Sequence, residues 1–185
     1  MPIATLHETD GLSATAFDLQ SINDSMKGTL YVSSCPGFSK TDGANEERKA
    51  AHLAFLFDQG IHLVISLTPE DERSTLGVAD MPERIKTAGI DWIEAPVVNF
   101  GTPDQDQMAQ FKTMITAASS RLQSGQKVLI HCRGGTGRAG KAAAIILMGG
   151  GMSADLAIST LRDHRAGCVQ TPEQEDFVRA YDGNL

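Results

Sequence analysis

The apolar run KVLIH (127–131) leads into the glycine-rich stretch CRGGTGRAG (132–140), and a helical apolar pattern follows from Arg138 to Met148. A buried strand that turns through glycines into a helix leaves the first N–H groups of that helix without intrahelical acceptors. They converge on one point, which suits an anion. Three phosphate-handling patterns overlap in these few residues. Gly135, Gly137 and Gly140 spell the dinucleotide fingerprint G-x-G-x-x-G, Gly135, Gly140 and Lys141 most of a Walker A loop, and Cys132 and Arg138 a cysteine, five residues and an arginine.

The surroundings separate the three. A dinucleotide fold needs a further strand after the helix, ending in an acid about 20 residues beyond the glycines. Here the nearest acids, Asp155 and Asp163, fall inside helical pattern. A Walker A lysine is followed by Ser or Thr to hold magnesium, and position 142 is Ala. The third pattern uses what the other two leave over. A cysteine at the mouth of an amide-lined cradle, beside His131 and Arg138, is expected to ionise well below the free-thiol value of about 8.5. The guanidinium of Arg138 can grip two oxygens of one phosphoryl group, as a lysine cannot. Gly134, Gly135 and Gly137 let the backbone turn several N–H groups inward. Cys132 and Arg138 are therefore the candidate catalytic pair, with Arg133, Gly134, Gly135, Thr136 and Gly137 as the substrate-binding loop.

Periodicity places this loop in an α/β chain, with a mostly parallel central sheet flanked by helices. Strands are predicted over 29–33, 61–67, 90–98 and 127–131, and helices over 45–59, 81–88, 102–124, 138–148, 153–165 and 172–181. A capped helical turn is expected from TPEDE (68–72). Only helices are expected after the glycine loop. Residues 1–27 read as an irregular polar segment ahead of one domain over 28–185.

The net charge of −7 argues against a nucleic-acid surface, so positive potential at a phosphate site must be local. The three cysteines, Cys35, Cys132 and Cys168, show neither zinc nor disulfide spacing, and His7, His52, His62 and His164 have no metal-ligand spacing. No metal or cofactor is implied. Neither a leader nor a membrane-spanning run is visible, and a cytoplasmic, monomeric protein is expected.

VLIHCRGGTGRAG resembles the signature loop of the cysteine-dependent tyrosine and dual-specificity phosphatases, above all the group that includes the kinase-associated phosphatase. SSCPG, ISLTPEDE, APVVNFGTPD and VQTPEQEDF resemble the corresponding pieces of that group, so the likeness covers most of the chain from about residue 33. It implies a phosphatase fold and a phosphocysteine intermediate formed by Cys132. The substrate would be a phosphorylated protein or peptide, carrying phosphotyrosine and in addition phosphoserine or phosphothreonine. Gln170 and Gln174 resemble the paired glutamines of the tyrosine phosphatases. Thr171, Pro172 and Gln174 also form a capping box, which leaves Gln170 to place the hydrolytic water.

Two positions depart from the family pattern. Where these enzymes carry the aspartate that protonates the leaving oxygen, this chain has Asn99, whose amide has no titrating proton. Asp104 is the nearest substitute, although Thr102-Pro103-Asp104-Gln105 also reads as helix capping, and Glu70, Asp71 and Glu72 form a weaker option. Ala139 stands where many relatives have Ser or Thr. The alternative function is a phosphatase-like module that binds phosphorylated partners without turnover. Phosphoinositide hydrolysis ranks lower, because Thr136 and the acidic composition offer no second basic group for a multiply charged head group.

Overall fold

The computed structural model describes residues 3–181. Among these, six strands form one twisted sheet in the order β1-β2-β3-β8-β6-β7. The central strand β8 (Lys127–His131) lies parallel to β3 (Thr29–Ser33) on one side and to β6 (Leu63–Ser66) on the other, and β7 (Asp91–Glu94) runs parallel to β6. Alternation along β8 divides the core. Val128 and Ile130 pack beneath α4 (Met108–Gln123), α5 (Arg138–Gly149), α6 (Ala154–His164) and α7 (Pro172–Ala180). Leu129 faces the opposite layer, built by α1 (Glu46–Asp58) and α3 (Met81–Thr87). Both faces of β3, β6 and β8 are therefore buried, which is why they read as continuous apolar runs.

The N-terminal segment corrects the expectation of an irregular 1–27. Strands β1 (Ala4–Thr9) and β2 (Leu12–Asp18) form an antiparallel hairpin, and β2 pairs with β3. Asp10 (φ 41°) and Gly11 (φ 84°) make its two-residue turn, both in the left-handed region that such turns demand. The Asp-Gly pair was the legible signal. It was masked because β1 is an edge strand of mostly exposed residues, with no apolar alternation to mark it.

A second small hairpin, β4 (Phe38–Ser39) with β5 (Gly43–Ala44), forms between β3 and α1. Arg48 joins the two hairpins. Its guanidinium donates to the Asp10 carbonyl at 2.9 Å, the Asp10 carboxylate at 3.1 Å and the Gly43 carbonyl at 2.8 Å. The turn helix α2 (Glu70–Thr75) begins where TPEDE predicts, and α4 begins at Met108, later than the predicted 102.

Candidate active site

Strand β8 ends at His131, and the loop 132–137 bends up into α5 with its carbonyls turned away from the helix axis. Their partners show how the loop is held. The Cys132 carbonyl faces His131 Nδ1 at 3.3 Å, and the Arg133 carbonyl accepts from the Cys35 amide at 3.1 Å. Arg165 donates to the carbonyls of Gly134 (3.2 Å) and Gly135 (2.5 Å), the Val169 amide donates to that of Thr136, and the Lys141 amide to that of Gly137. No peptide among the described residues is cis, so the N–H on the same plane as each of these carbonyls points away from that carbonyl's partner. The Gly135 amide already does so visibly, donating to Cys132 Sγ at 3.2 Å.

Gly135 is the residue that permits this path. Its φ is +72°, and a Cβ there would collide with the carbonyl of Ser33 and the amide of Ser34. Gly134, by contrast, has open space around it.

Arg138, in the first turn of α5, is 1% exposed and fully engaged on one edge. Its two terminal nitrogens meet both oxygens of Glu72 at 2.8 and 2.9 Å, and Nη1 also donates to the Val97 carbonyl at 2.9 Å. On the edge shared with Nε, Nη2 makes a longer bond of 3.3 Å to Asn99 Oδ1. The end-on pair with Glu72 aims the guanidinium, while the Nε–Nη2 edge carries only the weak Asn99 bond and can take two phosphoryl oxygens.

Glu72, named in the sequence only among weak acid candidates, is thus the carboxylate that orients Arg138. The structure places Asp104 outside the pocket lining. It is exposed and exchanges two bonds with Gln107, whose amide donates to Asp104 Oδ1 at 2.9 Å while the Asp104 amide donates to Gln107 Oε1 at 3.2 Å. This reciprocal cap shapes the entry to α4 and keeps Asp104 out of the pocket lining.

The pocket has a volume of about 590 Å3. Cys132, Arg133, Gly134, Thr136, Gly137 and Arg138 form its floor, and Asn99, Phe100 and Gln170 one side. The other side comes from the N-terminal hairpin (Leu6, Glu8, Gly11, Ser13, Thr15) together with Phe38 and Lys40. Glu8 is the one carboxylate among these lining residues. The structure therefore brings Cys132, Arg133, Gly134, Thr136, Gly137, Arg138, Asn99 and Gln170 together in the pocket lining, and leaves Gly135 and Asp104 outside it.

Three further groups hold the site, of which the sequence reading passed over Arg165 and gave Lys141 and Gln174 other roles. Arg165, buried at the end of α6, donates to the two loop carbonyls, to the Ser13 hydroxyl (3.1 Å) and carbonyl (3.2 Å), and to the Thr15 hydroxyl at 3.3 Å. Lys141, also buried, donates to the Gly101 carbonyl at 3.1 Å and lies 5.5 and 5.0 Å from the ring centres of Phe111 and Phe177. Burial pushes its pKa down to about 7, and the nearby Arg138 charge adds to the shift. Gln174, at the cap of α7, donates to the same carbonyl at 3.4 Å. Gly101 is so held on the loop that carries Asn99.

His131 lies beneath the loop. Burial pushes its pKa down to about 3, so it stays neutral and serves the loop as a hydrogen-bonding ring. Cys35 and Cys168 are both pushed up to about 12 by burial, with the charge of Cys132 adding to each. Both therefore remain thiols at neutral pH.

A family profile described as the Swiss Army Knife protein DSP-PTPase phosphatase domain matches residues 39–178. The chain belongs to the DSP-PTPase phosphatase family. Among curated relatives, Cyclin-dependent kinase inhibitor 3 of Homo sapiens is 30% identical over 129 residues, covering 68% of this chain and 59% of that protein. Its Mus musculus counterpart is 30% identical over 128 residues with the same shares. The match thus spans less than two thirds of the relatives' length.

Among solved structures, kinase associated phosphatase with its catalytic-site cysteine replaced by serine superposes with a TM-score of 0.79 at 26% identity, covering 92% of this chain and 94% of that one. Tk-PTP in the active form gives 0.64 at 25% identity, covering 87% and 98%. Within this phosphatase domain, the hairpin that walls the pocket precedes the matched segment. No helix among the described residues is long and apolar enough to cross a membrane.

Proposed function

We propose that this domain hydrolyses phosphotyrosine, and in addition phosphoserine or phosphothreonine, in protein or peptide substrates through a phosphocysteine intermediate on Cys132. The observation that carries the reading is the outward engagement of every carbonyl from Cys132 to Gly137. It leaves the facing amides, Cys132 Sγ and the Nε–Nη2 edge of Arg138 around one pocket. In the first step the thiolate sulfur forms a bond to phosphorus as the bond to the leaving oxygen breaks. The amides and Arg138 take the charge that builds on the three equatorial oxygens. In the second, water placed by Gln170 attacks phosphorus, the S–P bond breaks, and phosphate and the thiolate are released.

Asn99 supplies no proton to the leaving oxygen, and Asp104 stands outside the pocket. The leaving group then takes its proton from water, which favours substrates whose leaving oxygen is a weak base. This same pair of facts supports a second reading, a module that captures a phosphorylated partner and turns it over slowly.

The Cys132→Ser variant tests the first reading. It should lose turnover of an aryl phosphate while still binding vanadate or phosphate. Undiminished turnover would remove Cys132 as nucleophile. Absence of turnover in the unmodified protein, with phosphopeptide binding intact, would favour the binding module.

A further inference from the structure

The pocket is far larger than a phosphate group needs, and its mouth is cationic although the chain carries a net charge of −7. Two of the cations there are exposed and make no ion pair or side-chain hydrogen bond among the described residues. These are Lys40, just after β4, and Arg133, the residue after the nucleophile. The ledge that carries them is built. The Arg133 guanidinium sits over the Phe38 ring, 6.0 Å from its centre, an arrangement that holds the charge in place.

Phe38 and Lys40 alternate with Ser39, which is 2% exposed and packs against the turn at Gly11, so tightly that a Cβ on that glycine would meet Ser39 Cβ at 2.6 Å. His52, fully buried, fastens the same corner from behind. Its Nδ1 accepts from the Gly37 amide at 2.7 Å, and its Nε2 is 3.0 Å from the Asp10 carbonyl. With Arg48 on Asp10 and Gly43, this network fixes both hairpins at the pocket rim.

We propose that Lys40 and Arg133 form a second anion subsite, which takes a carboxylate or phosphate on a residue next to, or one beyond, the phosphorylated residue of a peptide. The proposal rests on the phosphoprotein reading above and deepens it. Arg133 adjoins Cys132 in the chain, so the second anion lies within one or two residues of the scissile phosphate, given an extended span of about 3.3–3.6 Å per residue. Leu6 (58%) and Phe100 (55%), on the two sides of the pocket, are exposed apolar surface against which a peptide side chain or an aromatic ring can lie. A peptide fits this combination better than a lipid head group in an anionic bilayer, which would be repelled by the chain's overall charge. The sequence alone could not show the second cation, because Lys40 and Arg133 come to line one pocket only once the hairpins are folded.

The experiment compares two phosphotyrosine peptides that differ only by Glu or Gln in the flanking positions, with an aryl phosphate as a third substrate. The Glu peptide should have the higher kcat/KM, by about 1.4- to fivefold for each exposed ion pair formed. The preference should fade as salt rises from 0.1 to 1 M, where the Debye length shrinks from about 10 to about 3 Å. Lys40→Glu should bring the Glu:Gln ratio to one or below. Equal kcat/KM on both peptides, or a ratio unchanged in Lys40→Glu, overturns the subsite and leaves the phosphatase reading standing. Cleavage of the aryl phosphate with no turnover of either peptide overturns both. A higher kcat/KM on a soluble inositol polyphosphate or on phosphoinositide vesicles, lost in Lys40→Glu, would assign the ledge to a non-peptide ligand and overturn the proposal as stated.

Discussion

Gly135 shows how much one residue can decide in this loop. Its φ of +72° and its contact with the Ser33 carbonyl leave no room for a Cβ. Gly135→Ala is expected to lose at least about 1–3 kcal/mol in urea unfolding from backbone strain alone. It should also lose turnover, because the peptide that donates to Cys132 Sγ must move. Unchanged unfolding and activity would show that the loop relaxes around the methyl group. Asn99 carries the complementary test. Its Oδ1 lies 3.3 Å from Arg138 Nη2 at the edge of the pocket, so Asn99→Asp places a carboxyl beside the reacting group. Rates for alkyl and other poor leaving groups should rise by about a hundredfold or more, and those for activated aryl phosphates far less. Equal changes for both classes would place the missing acid elsewhere. Both positions were visible in the sequence as letters, yet only Gly135 could be read for its role, because its constraint is local backbone geometry.

At the scale of elements, the site is a junction of segments that each supply one support. Arg165 at the end of α6 ties the loop to β2 through Ser13 and Thr15, so one guanidinium serves helix, loop and hairpin. A lysine has three donors on one nitrogen and cannot span these acceptors. Arg165→Lys is therefore expected to lower kcat about a hundredfold, as a displacement of about 1 Å in a catalytic group does, with the fold intact by circular dichroism. A kcat within twofold of the parent would show that the loop holds its shape unaided. The helices and the parallel strands were legible because each buries one regular face or run. The N-terminal hairpin was not, since β1 hides little apolar surface and takes its order from pairing with β2. The start of α4 was misplaced for a different reason. Thr102 to Gln105 has the grammar of a cap, but the cap formed is the Asp104–Gln107 pair, two residues further on.

For the whole molecule, two buried bases make stability rise with pH, each in its own window. His131 has a folded pKa of about 3 against an unfolded value near 6.5, and Lys141 about 7 against 10.5. In both cases the unfolded chain binds more protons between the two values, so stability rises with pH across each window. His131 costs nothing at neutrality and destabilises the fold as pH falls from about 6.5 toward 3. Lys141 is most costly near pH 7 and below, and the cost is relieved as pH approaches about 10.5. Lys141→Met removes the second window, so its stability in denaturant titrations should gain on the parent at pH 6 and lose that advantage by pH 10. A difference independent of pH would mean that Lys141 does not titrate in the native state.

The same distinction separates what was readable from what was not. By itself the sequence determined the strand, loop and helix that join Cys132 to Arg138, because periodicity and short spacing are properties of neighbouring residues. Only the tertiary structure decided that Glu72, 66 positions from Arg138, aims its guanidinium, and that Ser13, 152 positions from Arg165, helps anchor the loop from behind. Only it turned Asp104 into a cap and made Lys40 and the first hairpin a wall of the pocket. Contacts between residues so far apart leave no periodic trace in the chain, and they form only once the sheet has brought the strand ends to one side.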